Sequence, residues 1–168
     1  MPFIKSQLTY QYACHAVCFS GIIVSFYALI VEIEKERNPG YRPSCDISES
    51  ISCTKAFMSR WGRGLGLISP IFGEDHWLNQ RNPVFGIIGY SLLAVLGLFT
   101  SAFAATAYVY IAIGLNITSI YLAYILYFKV GSLCVVCATM YVINVILLLL
   151  SVGRRRLITQ LQARKKLK

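Results

Sequence analysis

Uncharged runs alternate with short polar stretches along the chain. Leu8–Val31 is 24 residues without a charged side chain other than a protonatable His15. Residues 83–128 are uncharged throughout, as are the 22 residues 131–152. A spanning helix needs about 20 apolar residues, so 83–128 is too long for one. A turn is expected near 99–106, where Thr100, Ser101 and Thr106 stand. The pattern predicts an all-α membrane protein: four transmembrane helices, at about 8–31, 83–101, 104–128 and 131–152, in a single domain covering 1–168. A lumenal loop with a cap helix, 32–82, joins the first two spans, and a basic cytoplasmic tail, 153–168, follows the last. No small-x-small cleavage site follows the first run before Glu32, so that run is expected to stay as an anchor.

Composition agrees. The 168 residues are 57% hydrophobic and 14% charged, against about 25% charged in soluble domains. That excludes a water-soluble enzyme or a disordered chain. The net charge of +9 suggests nucleic acid until its distribution is read. All acidic residues lie in 32–82 and are matched there by as many basic ones. The tail carries Arg154, Arg155, Arg156, Arg164, Lys165, Lys166 and Lys168 with no acid. A basic cluster beside a span reads as cytoplasmic, with a bilayer rather than nucleic acid as its partner. Both termini are then cytoplasmic, and the loop and the 128–131 turn face the other side. In a eukaryotic cell that side is the lumen of the endoplasmic reticulum, where disulfides form.

Four cysteines converge on that face. Cys134-Val-Val-Cys137 has the spacing of a redox dithiol, and at i and i+3 both sulfurs share one side of a helix. Ser132 is expected as that helix's N-cap, where the dipole favours thiolates. The plainer alternatives are a structural disulfide or two buried thiols. No metal site is expected: His15 and His76 are the only histidines, and His15 lies toward the other face. Asp46-x-x-Glu49 resembles a capping box, predicting a helix from about 47 to Trp61 with Cys53, Phe57 and Trp61 on one side. It would serve either as a membrane-surface helix or as a lid carrying a thiol. Eight helical residues would separate Cys45 from Cys53 by about 12 Å, whereas a disulfide needs about 7 Å or less. A Cys45–Cys53 bond and an intact 46–61 helix therefore exclude each other. A switch is expected, in which pairing of Cys53 with Cys134 leaves the helix whole. Cys14 and Cys18 lie toward the reducing side and are expected to pack as small apolar residues. Asn116-Ile-Thr118 matches a glycosylation sequon but falls inside a span, so no glycan is expected.

Cys45-Asp46, Ser52-Cys53, Ser59-Arg60-Trp61-Gly62-Arg63-Gly64, Leu78-Asn79-Gln80, Asn82, Phe85-Gly86, Tyr121-Leu122-Ala123-Tyr124 and Cys134-Val-Val-Cys137 together resemble the vitamin K epoxide reductase family of animals. The run Tyr121–Phe128 looks closer to its vitamin K epoxide reductase-like branch. The resemblance covers roughly residues 24–150. It implies reduction of vitamin K 2,3-epoxide to the quinone and of the quinone to the hydroquinone, with no permanently bound cofactor. It implies Cys134 and Cys137 as the catalytic dithiol, with Cys137 nearer the substrate. Cys45 and Cys53 become a shuttle pair fed by a thioredoxin-like lumenal oxidoreductase. Asn82 and Tyr141 would bond the quinone oxygens. Phe57, Trp61, Phe85 and Leu122 would line an apolar pocket that coumarin-type anticoagulants also enter. Without the resemblance Asn82 is equally a turn residue; Tyr141 has the alternative of an interfacial aromatic, but its i+4 spacing from Cys137 favours a place in the site. Two other functions are open: a lumenal thiol oxidase passing electrons from protein thiols to a quinone, and a non-enzymatic four-span scaffold. A scaffold has no need of Cys134-x-x-Cys137 within a span. Lys165-Lys166-Leu167-Lys168 looks like a dilysine retrieval signal, or simply a basic tail.

Overall fold

A computed structural model describes residues 2–166, with side chains from Ser6 to Ala163. The dilysine sequence at 165–168 falls outside the described side chains. The elements are α1 (Pro2–Arg37), α2 (Cys53–Phe57), α3 (Ile68–Phe72), α4 (Asn82–Leu98), α5 (Ala102–Ile125) and α6 (Val135–Lys166). A turn of π-helix, Leu126–Val130, prolongs α5, and a 3₁₀ turn forms at Gly64–Gly66. Among the described residues no strand forms, only isolated β-bridges.

Three segments are long and apolar enough to cross a membrane: Ser6–Arg37, Ala102–Val130 and Val135–Ala163. Only 33%, 28% and 28% of their most apolar windows are buried inside the protein. Faces such as Tyr12, Phe19, Phe103, Ile120 and Leu149 point outward, so the chain is a multi-pass membrane protein whose solvent there is lipid. The run expected as the span 83–101 forms the shorter α4, 17 residues long. That is about 26 Å of helix, less than a hydrocarbon core of about 30 Å.

Its end has a local cause. Phe99 turns extended, and Ser101 caps α5 by accepting from the Ala104 N–H at 3.1 Å. Arg154, 1% exposed, donates to the Gly97 and Phe99 carbonyls that α4 leaves open. The turn expected between 99 and 106 is thus Phe99 to Ser101. The tail expected from 153 continues α6 as helix to Lys166.

The helices close into a bundle, α1 against α4 and α6, and α5 against α4 and α6. Gly21 lets α1 approach α4: a Cβ there would stand 2.8 Å from the Tyr90 ring. Cys14 and Cys18 are buried beside Tyr108 and Leu93, with Cys18 Sγ 3.2 Å from the Tyr108 hydroxyl. Asn116 spends its amide inside the protein, donating to the Ala112 and Asn144 carbonyls.

Two expected helix starts are corrected. The helix expected from 47 to 61 is only α2, five residues long, capped by Ser52. Cys45 and Cys53 form a disulfide with Cα atoms 5.8 Å apart, and no helix holds residues eight apart that close. Trp61 therefore lies beyond the helix. Asp46 still caps, but across the loop: it accepts from the Thr54 N–H, the Thr54 hydroxyl and the Ser52 hydroxyl. Glu49 takes no part in a capping box; its carbonyl accepts from Lys55. Ser132 does not cap α6. Cys134 immediately precedes that helix, and its sulfur accepts from the Cys137 N–H at 3.2 Å.

Candidate functional site

At the end of the bundle carrying the cap loop, α1, α4, α5 and α6 surround a cavity of about 240 Å³. Its walls come mostly from apolar side chains. Of the residues singled out in the sequence, Phe57, Asn82, Phe85, Leu122, Cys137 and Tyr141 all line it. Trp61 lines an adjoining recess of about 80 Å³ together with Phe57, Asn82, Leu122, Cys137 and Tyr141. Cys45, Cys53 and Cys134 line neither. They lie in one buried cluster against which Cys137 packs.

Backbone pairing brings the two cysteine pairs together. The Ser52 N–H donates to the Leu133 carbonyl and the Leu133 N–H to the Ser50 carbonyl, each at 2.8 Å. Ile51 and Leu133 pair in parallel register. Cys53 follows two residues after Ile51 and Cys134 directly after Leu133, 0% and 1% exposed. Cys45 and Cys53 are bonded; Cys134 and Cys137 are free thiols. Helix geometry does the rest. Cys134 occupies the capping position of α6, where its sulfur accepts from the Cys137 N–H, and Cys137 stands in the first turn. Tyr141 follows one turn later on the same side.

Asn82 opens α4, with Pro83 behind it in the first turn, where a missing N–H is harmless. Its amide ties down the cap loop: Nδ2 donates to the Trp61 carbonyl at 2.6 Å, and Oδ1 accepts from the Leu65 N–H at 2.8 Å. An amide nitrogen carries two hydrogens, so one remains for the cavity. The loop it holds is unusual. Gly64, Leu65 and Gly66 all have positive φ (53°, 57° and 71°), and a leucine takes that conformation only where its surroundings enforce it.

Asp46 governs the disulfide loop. Desolvation pushes its carboxyl up, but the Thr54 hydroxyl and N–H, the Ser52 hydroxyl and the Cys53 N–H outweigh this and hold it below the usual carboxylate range.

The cavity also has a polar floor not anticipated from the sequence. Tyr90 donates to Asn144 Oδ1 at 2.7 Å, and Asn144 Nδ2 donates to the Ser119 hydroxyl at 2.8 Å. All three side chains line the cavity. A signal existed: Asn144 is seven residues after Cys137 and three after Tyr141, on the same helix face.

The chain is similar to known proteins over most of its length. The family model described as Vitamin K epoxide reductase family matches residues 12–152. The chain is 43% identical over 136 residues to mouse vitamin K epoxide reductase complex subunit 1, covering 81% of this chain and 84% of that one. It is 41% identical to the rat protein of the same name, with the same coverage. The chain belongs to the vitamin K epoxide reductase family.

Proposed function

We propose that this member of the family reduces vitamin K 2,3-epoxide to the quinone, and the quinone to the hydroquinone, with Cys134 and Cys137 as the electron source. The observation that carries the reading is the placement of one thiol, Cys137, in an apolar cavity beside Asn82 and Tyr141. The second thiol, Cys134, lies behind it against the loop disulfide.

The Cys137 thiolate attacks a ring carbon of the epoxide, the C–O bond opens, and the oxygen takes a proton. Cys134 then attacks Cys137 Sγ. A disulfide forms, the S–C electron pair returns to the ring, and the hydroxyl leaves as water. Two thiols and one epoxide thus become one disulfide, one quinone and one water. A second cycle gives hydroquinone from quinone by the same two-electron, two-proton balance. The Asn82 amide and the Tyr141 hydroxyl are neutral donors suited to oxygens that gain charge in a dry site. Phe57, Phe85 and Leu122, with Trp61 alongside, hold the ring system, and coumarin-type inhibitors use the same space.

Cys45 and Cys53, when reduced, attack the Cys134–Cys137 disulfide through Cys53. They leave as the Cys45–Cys53 disulfide, which a thioredoxin-like lumenal donor reduces. The observed pairing corresponds to electrons already delivered inward. The matching topology has four spans, with α4 as the second, in the endoplasmic reticulum membrane. The site is lumenal, and both termini and the basic tail are cytoplasmic.

The test is loss of vitamin K epoxide in membranes containing the chain, driven by dithiothreitol and followed by chromatography. Turnover is expected, and Cys137→Ala should abolish it. Undiminished turnover in that variant removes Cys137 from its role. No epoxide consumption, with reduced protein substrate oxidised at the expense of quinone, makes the chain a thiol oxidase instead.

A further inference from the structure

We propose that Arg81, gripped by Glu36 of α1, is a positioning residue for the Asn82 carboxamide. The inference rests on the reading of Asn82 as a donor to the substrate oxygen. Arg81 immediately precedes Asn82, and its backbone pairs antiparallel with Arg63 of the cap loop. Flanking bonds extend the pairing, from the Gly64 N–H to the Gln80 carbonyl and from the Asn82 N–H to the Gly62 carbonyl. Two arginines directly across a ladder repel, yet here one carboxylate joins them. Glu36 Oε1 accepts from Arg63 Nη2 and Oε2 from Arg81 Nη2, both at 2.6 Å. One helical turn earlier Glu32, 1% exposed, stands 3.5 Å from Arg81 Nε. Neither Glu32 oxygen has a hydrogen bond, and the Arg81 guanidinium is the basic group that stands beside this buried carboxyl.

The consequence reaches the cavity. The Asn82 amide grips the two ends of the loop through Trp61 and Leu65, so its second N–H points where the loop and the start of α4 together set it. The left-handed Leu65 gives this loop a reason to relax if released. The clamp joins the loop, the start of α4 and the end of α1 through one pair of side-chain bonds. An isolated surface ion pair contributes little. This one is a network with short charge-assisted bonds and a buried member, placed next to a donor whose orientation matters.

The experiment measures kcat and KM for epoxide reduction with dithiothreitol, per folded enzyme, in Arg81→Gln, Arg81→Lys, Glu36→Gln, Asn82→Ala and Arg81→Gln/Asn82→Ala. Losing one donor outright lowers kcat about 10²–10³-fold, so misaiming it is expected to cost about tenfold. Arg81→Gln and Glu36→Gln should both show this, with KM within about twofold, and Arg81→Lys should recover most of the loss. If Arg81 acts through Asn82, the double variant is no slower than Asn82→Ala alone. Normal kcat in Arg81→Gln, with Asn82→Ala impaired, overturns the clamp and leaves the Asn82 reading standing. So does a double variant whose loss is the product of the two single losses. Normal kcat in Asn82→Ala overturns the Asn82 reading and the clamp with it.

Discussion

The cavity floor offers a sharp energetic test. Asn144→Ala removes the acceptor of the Tyr90 hydroxyl and the donor to Ser119. The two losses are unequal. Ser119 keeps its bond to the Leu115 carbonyl, and Asn116 keeps its bond to the Asn144 backbone. Tyr90, 1% exposed, is left with only the Met140 sulfur at 3.9 Å. An orphaned buried hydroxyl costs about 1–3 kcal/mol. Within membranes such pairs average about 0.6 kcal/mol and reach about 1.7, so a coupling near 1 kcal/mol is expected. The assay is a double-mutant cycle of Tyr90→Phe and Asn144→Ala, with stability measured by denaturant titration in mixed micelles. Tyr90→Phe removes the group that Asn144→Ala orphans, so the double variant should be less destabilised than the two singles added together. Additivity within about 0.3 kcal/mol would refute the claim that these groups satisfy each other.

Asp46→Asn should loosen the disulfide loop and flatten its acid response. The folded carboxyl lies below its usual range. Its contribution is therefore complete above the unfolded value of about 3.9 and is lost as pH falls through the lower folded value. Melting at pH 7 and pH 3 should show a smaller difference in the variant than in the parent. Gly62→Ala drives a Cβ into the Phe57 carbonyl oxygen, so epoxide turnover and melting temperature should fall together, the latter by several degrees. Cys45→Ser should keep turnover with dithiothreitol, a molecule small enough to reach the inner pair. It should lose at least tenfold with a thioredoxin-like protein as donor; equal activity with both would remove Cys45 from the relay.

Much of this architecture was legible because charge is nearly absent from the apolar runs, and an uncharged run of 20 or more residues has few other structures open to it. The i, i+4 spacing of Cys137 and Tyr141 likewise sufficed to put both on one cavity wall. What stayed hidden depended on contacts between distant segments. Asp46 reads as a local cap, yet its partners are Ser52 and Thr54, six and eight residues on, because the disulfide folds the loop back. Ser132 is the better capping residue by type. The pairing of Leu133 with Ser50 and Ser52 delays the helix past it, and Cys134 takes the position. The seven acids and seven bases of 32–82 balance in number, and nothing in that balance tells Glu36 to join Arg63 and Arg81.

These cross-segment contacts bear on how electrons can move. The bonded loop holds Cys45 and Cys53 with Cα atoms 5.8 Å apart, and the Leu133 pairing holds Cys53 beside the start of α6. Breaking the Cys45–Cys53 bond removes the restraint that forbids helix between those residues, while the Leu133 bonds and the Asp46 contacts do not involve sulfur. In the proposed relay Cys53 then changes partners without leaving its place, and the displacement falls on Cys45 and residues 47–49, which neither the Leu133 bonds nor the Asp46 contacts hold. On that proposal the loop is the movable member of the exchange and α6 the fixed one. That division suits a site in which Cys137 must stay aimed at the cavity while Cys134 trades bonds behind it.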